Sequence, residues 1–381
     1  MKPSSRWALA SVSISMLLAS LGTSIANVGL PAMAQAFDAS FAQVQWIVLA
    51  YLVVITVTVV GAGRLADLTG RRRLLLVGLG LFTLASGLCA AAATLPVLVG
   101  LRAIQGLGAA IMMALAMASV PKQKSGSAMG MLGTMSATGT ALGPALGGLL
   151  VARYGWPAIF LVCVPVGTVA LLLVACFLPA DAVRKAPAAT VAPRIPMGGL
   201  AMNILVTAVI MATLVVGPFY LAGTLALDAA AIGLVMACGP IVSVLTGVPA
   251  GRLVDRLGTH RITIAGLGGM ICGATGLAAL PPSLGVAGYI APLLVLTAGY
   301  AMFQAANNTA VMARAADEQR GAVAGMLTLS RNLGLVSGTV VMGMAFTLGG
   351  MRLSFAFGSL LILAAFAIAQ GRSNSFSNRV D

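Results

Sequence analysis

The sequence predicts an all-α membrane protein of twelve transmembrane helices, arranged as two six-helix halves related by a pseudo-two-fold axis. Three observations predict it: an apolar composition, twelve apolar stretches of membrane-spanning length, and a repeat at half the chain length. Apolar residues make up 60% of the 381 residues and charged residues 8%, whereas a soluble domain has about 25% charged residues. This composition excludes a soluble fold, a disordered chain and a secreted disulfide scaffold.

The membrane spans follow from length and hydropathy. A helix needs about 20 apolar residues to cross about 30 Å of hydrocarbon. The predicted spans are 7–30, 43–63, 74–94, 97–120, 127–150, 157–178, 199–222, 229–250, 262–281, 286–312, 322–347 and 353–370. A polar, Pro- and Ala-rich stretch separates six spans from six, which predicts an N-terminal half at 1–178, a cytoplasmic linker at 179–197 and a C-terminal half at 198–381.

The net charge of +14 follows the predicted topology. Eighteen of the 22 Lys and Arg residues fall in the termini and the loops on the same side, two fall on the opposite side, and Arg102 and Arg331 fall inside spans. This bias places both termini in the cytoplasm. A nucleic-acid partner is not expected, because aromatic residues for base stacking are only 5% of the chain.

The two halves share sequence motifs. Residues 63–71 read G-R-L-A-D-L-T-G-R, and residues 251–261 repeat the pattern 188 residues later as G-R-L-V-D-R-L-G-T-H-R. Two similar halves in the same orientation imply an axis along the membrane normal and a substrate path between the halves. No Walker-type phosphate loop, nucleophile–base pair or metal-spaced cluster occurs, so we expect secondary or passive transport, with no enzyme activity, cofactor or metal.

The motifs carry a resemblance to the major facilitator superfamily over nearly the whole chain. Residues 63–73 resemble the family's loop 2–3 signature, residues 102–106 resemble the R-x-x-Q-G signature of span 4, and residues 139–148 resemble the span 5 signature associated with antiporters. Spans 1 and 2 and residues 155–160 look most like the drug:proton antiporter, or multidrug efflux, branch. That branch usually has fourteen spans and an acid in span 1, where this chain has twelve and Gly22.

The resemblance implies the major facilitator fold, with a latch between the halves on the cytoplasmic side. Asp67 and Asp255 would each face the positive N-terminal end of a helix in the other half, near Gly321 and Gly126 respectively. The alternative is a solvated turn with incidental charges. The residues expected in the latches are Gly63, Asp67, Gly70, Arg71, Arg72, Asp255, Gly258 and Arg261.

The small-residue stripe of span 5 is expected to pack closely against the other half at a rocking interface, where glycine lets backbones approach. Pro144 bends or locally unbonds this helix. The alternative is plain packing without a gating role. The members are Gly139, Gly143, Pro144, Gly147 and Gly148.

Charged and polar residues inside spans are the candidates for coupling or substrate binding. An arginine inside a membrane costs at least ~2.5–3.5 kcal/mol, so it usually faces a water-filled cavity or a partner; a snorkelling arginine is the alternative. Arg102, Gln105 and Arg331 are therefore candidates for a coupling or substrate charge. The cavity candidates are Asn27, Trp46, Tyr51, Asn203, Phe219, Tyr220, Phe303, Gln304, Asn307 and Asn308.

The acidic residues set a limit on the functional prediction. All eight lie in predicted loops or at span ends, so the resemblance implies proton antiport while the residues show no proton site inside the membrane. We expect secondary active efflux of small drug-like or amphipathic molecules by alternating access, coupled to protons, by a functional monomer in the bacterial plasma (inner) membrane. The alternatives are an uncoupled facilitator or importer of a small neutral or anionic metabolite, and a non-transporting membrane sensor.

The latch hypothesis predicts that Asp67→Asn changes the balance of inward- and outward-open states more than it changes folding. Removing the charge weakens attraction to a helix N-terminus by about 0.3–1 kcal/mol. Labelling of single cysteines introduced along the substrate path measures this balance. An unaltered labelling pattern in a well-expressed Asp67→Asn protein would contradict the hypothesis.

Overall fold

A computed structural model describes residues 3–118, 125–178, 197–280, 282–313 and 320–377, and every regular element in these ranges is helical. A short 3-10 turn, Pro282–Leu284, is the only departure from α-helix among these elements. The helices are α1 (Pro3–Ala36), α2 (Phe41–Val44), α3 (Trp46–Thr69), α4 (Arg71–Ala90), α5 (Leu95–Ala118), α6 (Ser125–Tyr154), α7 (Ala158–Leu161), α8 (Cys163–Phe177), α9 (Met197–Gly223), α10 (Ala229–Leu257), α11 (Thr259–Ala279), α12 (Gly285–Met312) and α13 (Arg320–Ser377).

The helices are long and apolar enough for a membrane. Ten helical segments within the described ranges meet the length and hydropathy needed to cross it, so the protein is an integral membrane protein and the predicted all-α class is confirmed. The segment α13 consists of two consecutive helices within Arg320–Ser377. Gly349 and Gly350 leave helical geometry and break it between the two last predicted spans. The count of twelve spans stays a prediction.

The chain forms two compact units. The first contains Met1–Thr190 and Asp228–Ala237, and the second contains Val191–Leu227 and Cys238–Asp381. The start of α10 therefore belongs to the first unit although it follows the predicted linker in sequence. The linker itself, apart from its last residue, lies outside the described residues.

The sequence repeat has a counterpart in the packing of each unit. In the first unit, a Cβ added to Gly108 of α5 would lie 2.6 Å from the carbonyl oxygen of Gly78 in α4. In the second, a Cβ added to Gly299 of α12 would lie 2.6 Å from the carbonyl oxygen of Gly266 in α11. Small residues allow such backbone contacts between membrane helices, and the same crossing occurs in both units.

Three glycines of the span 5 stripe, Gly139, Gly143 and Gly147, pack against α1 of their own half. The expected role of the stripe at a rocking interface stays a prediction. A Cβ on Gly139 would lie 2.5 Å from the carbonyl oxygen of Leu17 in α1, and one on Gly143 would overlap the Ser24 side chain. Gly147 continues the contact along α1. These three glycines recur every four residues and so lie on one face of α6, which is the face that α1 covers.

Gly148 lies about 100° further round the helix than Gly147 and meets a different neighbour. A Cβ on Gly148 would lie 2.5 Å from the carbonyl oxygen of Ala229 and 2.6 Å from the Cα of Gly233, both in the part of α10 that belongs to the first unit. Conversely, a Cβ on Gly233 would lie 2.6 Å from the carbonyl oxygen of Pro144. Of the predicted stripe, Pro144 and Gly148 therefore contact a helix from beyond the linker.

We expect Gly108→Ala to destabilise the protein by roughly 1–3 kcal/mol, because the added methyl group meets backbone that cannot move aside. Gly100→Ala in the same helix is the matched control, since nothing lies within 4 Å of a Cβ there. Thermal unfolding of the purified proteins in detergent compares the two. Equal stability of the two variants would show that the close α4–α5 contact does not limit the size of the residue at position 108.

Candidate functional site

Arg102 lies two turns into α5, and its side chain is completely buried in the first unit. Its Nε donates to the carbonyl oxygen of Ile47 in α3 at 3.0 Å, and one Nη donates to the carbonyl oxygen of Gly22 in α1 at 3.1 Å. The other Nη donates to Oε1 of Gln105, one turn further along α5. One guanidinium therefore joins three helices through oxygen acceptors.

Two aromatic rings cover the same guanidinium. Its Cζ lies 4.1 Å from the ring centroid of Tyr51 and 5.8 Å from that of Phe160. Ring faces carry partial negative charge and attract cations. The Tyr51 hydroxyl donates to the carbonyl oxygen of Ala19 at 2.8 Å, which links α3 directly to α1. Within the described part of the chain, no carboxylate makes an ion pair with Arg102, so neutral oxygens and rings alone stabilise its charge.

Gln105 connects this cluster to α4. Its Nε2 donates to Oγ of Ser86 at 2.7 Å, and that hydroxyl donates to the carbonyl oxygen of Phe82 at 2.6 Å. Ser86 and Gln105 are both completely buried. Hydrogen bonds therefore join four helices, α1, α3, α4 and α5, and the ring of Phe160 adds α7. We call this group the Arg102 cluster: Gly22, Ile47, Tyr51, Ser86, Arg102, Gln105 and Phe160.

Two glycines make room for the cluster. A Cβ on Gly106 would lie 2.7 Å from the carbonyl oxygen of Tyr51, so the last residue of the R-x-x-Q-G pattern has to be small. A Cβ on Gly22 would lie 3.0 Å from the Tyr51 hydroxyl oxygen and 3.1 Å from the Phe82 ring. A larger side chain at Gly22 would therefore have to displace Tyr51 or Phe82.

The two intramembrane arginines differ in their surroundings. Arg102 has partners on neighbouring helices, as expected of an arginine that does not face water, and its burial does not fit the snorkelling alternative. Arg331 is exposed on α13, beside the buried Asn332. The role of Arg331 as a coupling or substrate charge stays a prediction.

The loop motifs form two equivalent tight turns. Gly70 separates α3 from α4 with φ 89°, and Gly258 separates α10 from α11 with φ 84°. Glycine adopts this left-handed backbone without the strain that a Cβ introduces, which explains the glycine at this point of both motifs. Arg71 begins α4, and Arg72 donates to the carbonyl oxygen of Ala175 in the last turn of α8.

Arg72 therefore contacts α8 of its own unit, and its expected role in the latch stays a prediction. A cation at the carboxyl end of α8 is favourable because the carbonyl groups there carry partial negative charge. Asp255 and Arg261 are exposed. The surroundings of Gly63, of the Asp67 side chain and of the expected partners Gly126 and Gly321 lie outside what the structure describes. The latch itself stays a prediction.

The cavity candidates separate into three groups by burial. Trp46 and Asn308 are exposed, and Phe219, Tyr220 and Gln304 are partly exposed. The Phe219 ring lies 6.5 Å from that of Phe346, and the Tyr220 ring stacks on that of Tyr289 at 5.9 Å. Nε2 of Gln304 donates to the Tyr300 hydroxyl. The buried group consists of Asn27, Tyr51, Asn203, Phe303 and Asn307. Their role in binding a substrate stays a prediction.

Two of the buried amides join helices of the second unit. Nδ2 of Asn203 in α9 donates to the carbonyl oxygen of Leu327 and to Ser330 in α13, at 3.1 and 2.8 Å. Nδ2 of Asn307 in α12 donates to the carbonyl oxygen of Gly199 in α9 at 3.1 Å. Polar side chains often join membrane helices in this way. The Asn27 amide instead bonds to Thr23 of its own helix.

Sequence reasoning missed four members of the Arg102 cluster as site residues: Gly22, Ile47, Ser86 and Phe160. Ser86 is a single serine in an apolar span, and Ile47 contributes only its carbonyl oxygen, so neither leaves a signal in the sequence. Phe160 belongs to the stretch 155–160 whose resemblance to the efflux branch was noted, and that resemblance was the available signal. Gly22 attracted attention as a departure from the branch, and the structure shows its carbonyl oxygen on Arg102.

Comparison with known proteins identifies the family. Residues 12–339 match the Major Facilitator Superfamily. The chain belongs to this superfamily. As a member of the Major Facilitator Superfamily it is a transporter of small molecules across a membrane and not an enzyme, which confirms the expected family and fold.

The relatives of this major facilitator transporter differ in what their names say they carry. It is 28% identical to the riboflavin transporter RibZ of Clostridioides difficile (strain 630), over 86% of this chain and 85% of that protein. It is 38% identical to the multidrug resistance protein Stp of Mycobacterium tuberculosis (strain ATCC 25618 / H37Rv), over 44% of this chain and 32% of that protein. A solved D-xylose–proton symporter shares the fold, with a TM-score of 0.80 at 15% identity over 94% of this chain and 96% of the symporter.

We expect Tyr51→Phe to lower the free energy of unfolding by about 1 kcal/mol, because it removes one buried hydrogen bond. Tyr51→Leu should lower it by about 2 kcal/mol more, because it also removes the ring face over a desolvated cation. Unfolding in detergent measures both, with Tyr154→Phe, at an exposed position, as the control. If Tyr51→Leu were as stable as Tyr51→Phe, the ring would not stabilise the Arg102 charge.

Proposed function

We propose that this transporter exports small drug-like or amphipathic molecules by alternating access, in exchange for protons, across the plasma (inner) membrane of a bacterium. The termini would lie in the cytoplasm and the monomer would be the working unit. The span 4 and span 5 signatures and the relative Stp support this proposal. The observation on which it depends most is the buried Arg102 cluster.

The geometry of the cluster gives Arg102 a way to respond to helix movement. Two of its three acceptors are backbone carbonyl oxygens on α1 and α3, so a shift of either helix relative to α5 stretches a hydrogen bond to a buried charge. Hydrogen bonds to charged groups contribute about 1.5–3 kcal/mol each. A conformational change that breaks one of them therefore alters the energy of the charge, which is the requirement for coupling a charge to transport.

The charge of the site bears on the class of substrate. Arg102 is uncompensated by any carboxylate among the described residues, and Arg331 is exposed within α13. An obligate dication would find no counter-charge there. Arg102 is buried and bonded within its cluster, so the exposed Arg331 is the cation that bears on a substrate, and neutral amphipathic molecules and anions fit it better than a dication.

An uncoupled facilitator or importer of a small neutral or anionic metabolite is the second candidate function. Gly22 favours it, because the position where the efflux branch usually has an acid is closed by Tyr51 and Phe82. The acids Asp38 and Asp228 are exposed outside the long helices, and the Asp228 carboxylate accepts a hydrogen bond from the backbone of Ala231 at 2.7 Å. The relative RibZ, which matches most of the chain, also fits transport of a metabolite.

Efflux of a fluorescent amphipathic dye from proteoliposomes, with and without an imposed pH gradient, tests the proposal. We expect gradient-driven efflux by the wild type and a loss of about tenfold or more in Arg102→Ala, equivalent to at least about 1.4 kcal/mol in the barrier. Arg153→Ala, which changes an exposed arginine at the end of α6, is the control. An efflux rate that does not depend on the pH gradient would favour the facilitator. If the proteoliposomes retained the dye with every protein, wild type included, this class of substrate would be rejected.

A further inference from the structure

We propose that Ser86 of α4 is a positioning residue that fixes the orientation of the Gln105 amide and, through that amide, the Arg102 guanidinium. The inference rests on the proposed role of Arg102 in transport. The Ser86 hydroxyl bonds to Gln105 and not to Arg102, so it acts on Arg102 only through Gln105. It lies 19 residues from Gln105 in the sequence and on a different helix.

The Gln105 amide has one orientation that suits Arg102 and one that does not. Its oxygen accepts hydrogen bonds and its NH₂ group only donates them, whereas a guanidinium has no acceptor. Oε1 therefore has to face Arg102, and Nε2 has to find an acceptor elsewhere. The acceptor is Oγ of Ser86 at 2.7 Å.

Ser86 is the acceptor for Gln105 in the observed arrangement. A serine hydroxyl has one hydrogen, and here it is donated to the carbonyl oxygen of Phe82. If the amide turned over, its NH₂ group would face the guanidinium, donor against donor, and the Ser86 hydroxyl would have to leave Phe82 to donate to the amide oxygen. The donor order therefore runs in one direction, from Arg102 to Gln105 to Ser86 to Phe82.

Gln105 is the adjustable member of the Arg102 acceptors. The other two acceptors are backbone carbonyl oxygens, which α1 and α3 hold in place. Gln105, Ser86 and Arg102 are all completely buried, so bulk water has no access to replace a lost bond. Removing the Ser86 hydroxyl leaves the amide NH₂ group without an acceptor and removes the bond to α4 that holds the amide in place against Arg102.

Hydroxyl replacement at Ser86 tests the proposal in two matched pairs. Ser86→Ala removes the hydroxyl, and Ser86→Thr and Ser86→Val have the same shape but only Thr keeps it. Thr83→Val on the same helix is the control, because Thr83 is buried and its hydroxyl oxygen has no hydrogen-bond partner within the described residues. The readout is the ratio of dye efflux with and without the pH gradient, since a purely structural defect lowers both rates alike.

We expect Ser86→Ala and Ser86→Val to lower this ratio by about tenfold, as for the loss of one charge-assisted hydrogen bond. The ratio for Ser86→Thr should exceed that for Ser86→Val and approach the wild-type ratio. The ratio for Thr83→Val should equal the wild-type ratio. Equal ratios for Ser86→Thr and Ser86→Val would overturn the proposal and assign Ser86 to packing. So would an unchanged ratio in Ser86→Ala.

A double-mutant cycle separates this inference from the proposed function. The apparent unfolding midpoint is measured for Ser86→Ala, Arg102→Met and the double variant. The same three variants are then measured in a protein that also carries Gln105→Met. Non-additive effects that disappear in the Gln105→Met background show positioning through Gln105, even if the wild type transports no dye and the proposed function fails. If the effects of Ser86→Ala and Arg102→Met are additive while Gln105 is intact, the positioning role is overturned whatever the transport result.

Discussion

A guanidinium buried among apolar helices has to be surrounded by oxygen atoms and ring faces, and this requirement determines how the first unit is built. Arg102 has no carboxylate partner among the described residues, so its charge is spread over two backbone carbonyl oxygens, one amide oxygen and two aromatic rings. Each acceptor comes from a fixed place on α1, α3, α5 or α7. The positions of these helices are therefore coupled to the solvation of one charge.

Close backbone contacts make this arrangement possible. Helices in lipid gain little from burying apolar surface against one another, so they associate through tight packing and polar contacts. The first unit uses Gly108 against Gly78 and the α6 glycines against α1. The second unit repeats the pattern with Gly299 against Gly266 and with Gly334 of α13 against Ile204 of α9.

The two units share packing but differ in chemistry. Arg102 and Gln105 precede Gly108 by six and three residues, and the residues that precede Gly299 by the same intervals are Leu293 and Leu296, both buried. The second unit joins its helices with neutral amides, Asn203 and Asn307, instead of a charge. Among the residues whose burial is described, the buried cation is thus a feature of the first repeat alone, and a coupling role based on it would belong to the first unit.

The sequence by itself determined the class of fold and Arg102 with Gln105 as a candidate pair, because composition and a charge within an apolar run are local properties. The repeated motif also singled out Gly70 and Gly258, and the structure shows both in left-handed turns that favour glycine. Only the tertiary structure decided that the span 5 glycines lie on α1, that Arg72 binds the end of α8, and that Ser86 and the carbonyl oxygens of Gly22 and Ile47 complete the Arg102 cluster. Those facts depend on which helix faces end up adjacent, and backbone carbonyl groups, which every residue has, leave no mark in a sequence.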